Sequence, residues 1–252
     1  MGRIEQNTDM ANVADTAVVT GSSSGIGLAL SRMLVKNGYE VFGFGRNFER
    51  AEAQEFCKEQ PEKFHAVVCD ITDTQALCAH IKEIDKNYRV TVLVNNAGVG
   101  YYGLHEELNP KKIQKMVRTN LEAPMILTQQ LLRTLKKNRG TFLNRASVTA
   151  AQSNPHGCAY GATKAGLSGF AKSLFDEVRK YGVRVITIQP DMAKTDLYRN
   201  ADFCEGEEEA SYLLPEEVAE AAAFALAQRE GLVVTAITVK PKFHRIRRKK
   251  AV

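Results

Sequence analysis

Thr16-Ala17-Val18-Val19-Thr20-Gly21-Ser22-Ser23-Ser24-Gly25-Ile26-Gly27 passes from an apolar, β-branched run into a glycine- and serine-rich turn, and Leu28 to Val35 follows with a helical pattern. A strand that feeds a helix through such a turn presents unpaired N–H groups and the positive end of the helix dipole, and glycine lets the backbone approach an anion closely. Because this turn lies between the first strand and the first helix, Gly21, Ser23, Ser24, Gly25, Ile26 and Gly27 are candidate contacts for the pyrophosphate of a dinucleotide.

Further apolar runs recur at Glu40 to Gly45, Phe64 to Cys69, Val90 to Val94, Gly140 to Arg145, Val183 to Gln189 and Leu232 to Val239. Helical periods fill 26–37, 49–59, 73–87, 110–137, 158–181 and 215–229 between them. Near-continuous apolar strands fit a sheet covered on both faces, and repeated strand-helix-strand units with right-handed crossovers make it parallel. The predicted class is therefore α/β: a single-domain, doubly wound (Rossmann) fold with a seven-stranded parallel sheet over 15–239. Residues 1–14 read as a mobile arm, 191–214 as a mobile lid and 240–252 as a basic tail.

Composition supplies bounds and no function. Hydrophobic residues at 44% and charged residues at 25% match a soluble globular protein, and no apolar run approaches the roughly 20 residues a membrane helix needs. The start, Met1-Gly2-Arg3-Ile4-Glu5-Gln6, lacks the apolar core of a signal peptide, and Gln6 stands where myristoylation needs Ser or Thr, so a cytoplasmic protein is expected. Five cysteines with no Cys-x-x-Cys spacing argue against a disulfide framework and against a zinc site, and no metal is expected. The net charge of +5 is a tail effect: from Lys240 onward there are seven bases and no acid, and elsewhere 27 bases face 29 acids. Such a cluster suits a nucleic acid or an anionic surface, but a solvated or subunit-docking terminus is the expectation, without nucleic-acid or membrane partners.

Where the second strand ends, an acid would accept from the ribose 2′-hydroxyl of NAD. This chain has Gly45-Arg46-Asn47 there. Arg46 offers a charge-assisted fork to a 2′-phosphate that a carboxylate would repel, which favours NADP(H), with Asn47 beside it.

The remaining motifs are ordered along the chain. Asn95-Asn96-Ala97-Gly98 ends the fourth strand, Asn120 lies in Arg118-Thr119-Asn120-Leu121, Ser147 follows the fifth strand, and Tyr160 and Lys164 open the next helix. Residues i and i+4 share a helix face, so Lys164 falls beside the Tyr160 phenol. A free tyrosine titrates near pH ~10, and a neighbouring ammonium stabilises the phenolate, which suits it to proton exchange at neutral pH. Ser147 is placed to hydrogen-bond a substrate oxygen that gains alkoxide character.

With Ser147 thirteen residues before Tyr160, these motifs together resemble the short-chain dehydrogenase/reductase family across nearly the whole domain. The resemblance implies a carbonyl reductase or secondary-alcohol dehydrogenase in which Asn120, Ser147, Tyr160 and Lys164 are catalytic. It implies that Lys164 also bonds the nicotinamide ribose and that Asn120 holds a water linking Lys164 to solvent. It further implies cofactor contacts at Asp70, Ile71, Asn96, Ala97, Gly98, Pro190, Met192 and Thr195, the last at the carboxamide. Asp70 reads equally as a helix N-cap. A dimer or tetramer is expected, and the alternative activity is a catalytically silent NADP(H)-binding regulator.

Three departures stand out. Pro190-Asp191 replaces a Pro-Gly step, Arg145-Ala146-Ser147 replaces Ile-Ser-Ser, and Lys240-Pro241-Lys242-Phe243 replaces a glycine-rich ending. Substrate loops at 99–104, 148–157 and 191–214 bring Tyr101, Tyr102, Leu197, Tyr198, Phe203, Tyr212 and Leu213 as apolar candidates, and Asn154 and His156 as polar ones.

Overall fold

The computed structural model of the chain describes residues 14–249, so nearly all of the expected N-terminal arm lies outside the described residues. Strand β1, Thr16–Thr20, is wholly buried. Its side chains alternate between two cores: Ala17 and Val19 enter one and Val18 the other, as expected of a strand covered on both faces. Around it run β2 (Glu40–Gly45), β3 (Phe64–Val68), β4 (Val90–Asn95), β5 (Thr141–Arg145) and β6 (Arg184–Pro190). Two three-residue strands lie outside this sheet, β7 (Phe203–Glu205) and β9 (Ile246–Arg248), and β8 (Ala236–Val239) forms the edge.

The main sheet has the order β3-β2-β1-β4-β5-β6-β8, all parallel. The order reverses between β1 and β4, and a crevice opens there at the carboxyl ends of the strands. On one face lie α1 (Gly25–Lys36), α2 (Ala51–Glu59) and α7 (Pro215–Leu226). On the other lie α3 (Thr74–Asn87), α5 (Ala123–Asn138) and α6 (Cys158–Val178). No helix among the described residues is long and apolar enough to cross a membrane.

The structure departs from the sequence-based expectation in three places. The single helix expected over 110–137 is two, α4 (Pro110–Val117) and α5, joined by a π-turn at Arg118–Glu122. Pro124 is the reason. It has no N–H to donate to the Asn120 carbonyl, and its ring would strike that carbonyl in a regular helix. The last strand of the main sheet starts at Ala236 and not Leu232, because its pairing with β6 begins at Thr187↔Ala236. The basic tail, expected as a solvated or docking terminus, folds back: β9 pairs antiparallel with β7 through Phe203↔Arg248, Cys204↔Arg247 and Glu205↔Ile246.

Candidate active site

The phosphate loop is held from below by the turn after β4. The Asn96 and Ala97 amides both donate to Thr20 Oγ1 at 3.0 Å, and Asn96 Nδ2 donates to the Thr20 carbonyl at 2.9 Å. Gly21 adopts φ +68°, in the left-handed region that favours glycine. Gly27 is required by space: a Cβ there would lie 1.9 Å from the Gly21 carbonyl oxygen and 2.4 Å from Asn96 Nδ2. Ser24, the extended N-cap of α1, makes no side-chain capping bond, and the first turn carries no acid. The leading amides and the dipole end thus face the crevice, an arrangement suited to a diphosphate.

That crevice is a cavity of about 160 Å³ lined by Gly21, Ser23, Ser24, Gly25, Ile26 and Gly27, by Arg46, Asp70 and Ile71, by Asn96, Ala97 and Gly98, and by Thr195. Asn47 and Met192, both expected as cofactor contacts, line neither this cavity nor the smaller one over Tyr160. Asn47 is exposed and Met192 buried, while Pro190 belongs to the smaller cavity. Lys115, Thr119, Arg145 and Arg199 also line the cleft, and sequence reasoning did not place them there. Lys115 had a signal in the cationic face of α4, but which way that face turns depends on the π-turn after it. Burial alone would raise the Asp70 carboxyl. The Thr72 amide (2.9 Å) and hydroxyl (2.8 Å), with the charges of Arg46 and Lys115, instead hold it below the ordinary range. The adjoining α3 is capped by Asp73, whose carboxylate accepts from the Ala76 amide, and not by Asp70.

The four residues expected to be catalytic come together beside this cleft. Tyr160 and Lys164 lie on α6, Ser147 follows β5, and Asn120 sits in the π-turn; all four are buried, Lys164 and Asn120 completely. Asn120 Oδ1 accepts from the Val99 amide at 2.8 Å, and its Nδ2 donates to the Val99 carbonyl at 2.9 Å and to Thr163 Oγ1 at 3.1 Å. Asn120 thereby ties the turn after β4 to α6. Lys164 Nζ donates to the Arg145 carbonyl at 2.9 Å and lies 5.8 Å from the centre of the Tyr160 ring.

Arg145 itself turns into the site at 7% exposure, its Nε and Nη2 donating to the Asn96 carbonyl at 2.9 and 2.8 Å. A Cβ on Gly98 would stand 2.7 Å from Arg145 Nη2 and 3.5 Å from both Asn120 Oδ1 and Lys164 Nζ. The bare backbone of Gly98 is what lets these groups converge. Burial raises the Tyr160 phenol, opposed by the charge of Arg145 and by hydrogen bonding from Ser147 and Arg145. Burial, then the Arg145 charge, hold the Lys164 amine well below the ordinary lysine range.

Over Tyr160 lies an aromatic cover. Tyr102 stands 5.6 Å from Tyr160, 5.8 Å from Tyr198 and 5.2 Å from Phe203, ring centre to ring centre. Beneath it the cavity at Ser147 and Tyr160 is about 20 Å³, room for little more than one water. The tail fastens this cover: Arg247 pairs with Glu207 at 3.1 Å, Arg245 pairs with Glu208, and Lys249 Nζ donates to the Tyr198 carbonyl at 2.6 Å. Leu197 lines both the cleft and this smaller cavity, and Tyr101 packs with it against the cluster of Val99, Met116 and Tyr160, whereas the remaining substrate-loop candidates disperse. Leu213 joins the core, Tyr212 packs against Lys194, Asn154 Nδ2 donates to the Gly157 carbonyl, and His156 occupies a left-handed turn.

Comparison with known proteins agrees with this geometry. The short chain dehydrogenase family matches residues 15–203. Serine 3-dehydrogenase of Agrobacterium fabrum is 37% identical over 186 residues, 73% of this chain and 74% of that one. The 3-oxoacyl-[acyl-carrier-protein] reductase of Rickettsia conorii is 33% identical over 233 residues, 89% of this chain and 93% of that one. The crystal structure of an alcohol dehydrogenase from Thermococcus sibiricus, complexed with 5-hydroxy-NADP, superposes with TM-score 0.82 at 27% identity, covering 92% of this chain and 98% of that chain.

Proposed function

Because the chain belongs to the short-chain dehydrogenase/reductase family, an oxidoreductase family, we propose that it reduces a carbonyl compound, or oxidises the corresponding secondary alcohol, with NADP(H) and with Tyr160 as the acid-base group. The observation that carries this is the burial of Ser147, Tyr160 and Lys164 together at the carboxyl edge of the sheet, beside a cleft with an open helix N-terminus. NADP(H), when bound, supplies or accepts the hydride. Tyr160 gives its phenolic proton to the substrate oxygen, and Ser147 donates a hydrogen bond to that oxygen. Asn120 fixes α6 against the turn after β4. Arg46 lines the cleft at the end of β2, in the position where an acid would repel a 2′-phosphate, and its charge also acts on Asp70 across the cleft.

The 191–214 segment serves in this scheme as a lid, because about 20 Å³ over Tyr160 admits no carbonyl substrate until Tyr102, Tyr198 and Phe203 move. We place the protein in the cytoplasm as a homo-oligomer. The test is NADPH oxidation against a carbonyl panel that includes diketones, sugars and steroids, with 3-oxo acids and 3-oxoacyl thioesters added on the strength of the relatives' names. Tyr160→Phe is expected to abolish turnover and leave the NADPH Kd within about threefold. Turnover undiminished in that variant overturns the mechanism. The closed cover also suits a silent NADP(H)-binding regulator, which would bind NADPH and turn over nothing on the panel.

A further inference from the structure

Four residues line both the cofactor cleft and the small cavity over Tyr160: Ile26, Thr195, Leu197 and Arg145. The two spaces meet at these side chains. Hydride passes directly between the nicotinamide ring and the carbon whose oxygen faces Ser147 and Tyr160, so the ring of a bound dinucleotide has to lie at that junction. Three of the four residues are neutral. The fourth carries a guanidinium, almost wholly buried, and arginine does not lose its proton in proteins. Among the described residues Arg145 is the one cation lining the smaller cavity, and Lys164 lines neither space.

No acid compensates this charge. Of the acids that line the two spaces, Asp70 is held by Thr72 and Asp196 pairs with Arg50. Asp191 accepts from the Met192 amide at 2.9 Å and faces His244 at 3.7 Å. Arg145 enters no ion pair among the described residues, and its Nε and Nη2 are fixed on the Asn96 carbonyl, which holds the guanidinium in place. We propose that Arg145 makes the site discriminate between the two redox states of its cofactor, holding the reduced, neutral nicotinamide more tightly than the oxidised, cationic one.

This rests on the reading of the cleft as a nicotinamide dinucleotide site. The two redox states share adenosine, diphosphate and 2′-phosphate, so every contact at the phosphate loop and at Arg46 cancels in the ratio of their affinities. What remains is the positive charge of the oxidised ring against a fixed guanidinium, in a place where little water screens either. Tighter binding of the reduced form makes the bound couple more oxidising than the free one, by about 30 mV for each tenfold in that ratio. After a carbonyl is reduced, the oxidised cofactor is left in a site that repels it, so it leaves readily and inhibits weakly as a product.

The experiment measures three dissociation constants on the full chain without substrate: NADPH by its own fluorescence, and NADP+ and 2′-phospho-ADP-ribose by displacing it. Arg145→Met is expected to lower the ratio of the NADP+ Kd to the NADPH Kd by about 10- to 100-fold, through tighter NADP+. Arg145→Lys, which keeps the charge, should stay within about threefold of the parent ratio, and 2′-phospho-ADP-ribose, which has no ring, should bind Arg145→Met within about threefold of its parent Kd. An unchanged ratio in Arg145→Met, an equal fall in Arg145→Lys, or a common shift of all three ligands overturns the proposal; the last would mean that Arg145 shapes the cleft or meets the diphosphate. If Arg145→Met does not fold, the parent decides: NADP+ weaker than NADPH by about fivefold or more supports the proposal, and a smaller difference refutes it. Binding of both forms without discrimination defeats this inference alone, whereas binding of neither, nor of NADH and NAD+, defeats the nicotinamide reading and this inference with it.

Discussion

Gly27→Ala sets two opposed effects against each other at one atom. Alanine in place of a helical glycine ordinarily stabilises by about 1 kcal/mol through propensity. At Gly27 the new methyl would fall 1.9 Å from a backbone carbonyl oxygen and 2.4 Å from Asn96 Nδ2. A backbone atom cannot rotate away as a side-chain tip does, so α1 or the phosphate loop must shift by over an ångström. Overpacking of this severity costs about 3 kcal/mol, which leaves a net loss of about 2 kcal/mol. For a domain of this size that lowers Tm by about 4–8 °C. The displaced loop should also weaken NADPH binding by tenfold or more, because its amides no longer aim at the diphosphate. Gly169→Ala is the internal control: it lies in α6, and nothing stands within 4 Å of a Cβ there. It should therefore show the propensity gain alone, raising Tm by about 2–4 °C with no change in Kd. Differential scanning calorimetry and a fluorescence titration with NADPH measure both variants. A Gly27→Ala protein as stable as its parent, with the same Kd, would refute the account of the loop.

Arg46→Asp should lower kcat/KM for NADPH by about 10- to 100-fold while sparing NADH, as expected when a charged hydrogen bond is lost and repulsion replaces it; an unchanged NADPH/NADH ratio contradicts the cofactor assignment. Asp70 contributes to acid stability with a definite sign: its folded carboxyl titrates below its unfolded value, so its contribution is present above about pH 4 and is lost as pH falls through the folded range. Denaturation midpoints of Asp70→Asn and parent should accordingly differ at neutral pH and converge on acidification. Arg245→Glu combined with Arg247→Glu replaces two attractions on the acidic patch by repulsions. Exposed pairs contribute little to global stability, so Tm should change by a few degrees at most while proteolysis between 202 and 210 accelerates. Equal cleavage rates would show that the tail does not fasten that segment.

The interior strands were legible because both faces of each are buried, which writes an apolar run into the sequence. Boundaries failed where a single residue overrides periodicity: Pro124 divides a 28-residue helical pattern that hydrophobic spacing alone reads as continuous. The β7–β9 ribbon was illegible for the opposite reason. Each strand has three residues of mixed character, Phe-Cys-Glu against Ile-Arg-Arg, and the pairing spans more than 40 positions, so local pattern carries none of it. Its only trace was charge, an acidic run at 205–209 and a basic one at 245–250, visible separately and not as partners. Tyr160, Lys164, Ser147 and Asn120 could be grouped because motif order is linear. That Arg145 points into their midst could not, since a strand residue's face depends on where pairing places it. Asn47, expected beside Arg46, and Met192, implied by the resemblance, line neither cavity, since whether a side chain faces a cleft is set by the fold and not by its place in a motif.

The ribbon turns the cover over Tyr160 and the basic tail into a single moving part. Phe203 and Ile246 belong to adjoining strands whose backbones bond to one another, while β8, between them in sequence, is anchored in the main sheet. Neither strand can leave without the other losing its partner, so loosening the tail and uncovering Tyr160 are coupled. By the reciprocity of linked equilibria, whatever displaces the tail favours exposure of Tyr160 by the same coupling free energy with which exposure of Tyr160 favours displacement of the tail. A reporter group at the tail would then register an event occurring at the phenol.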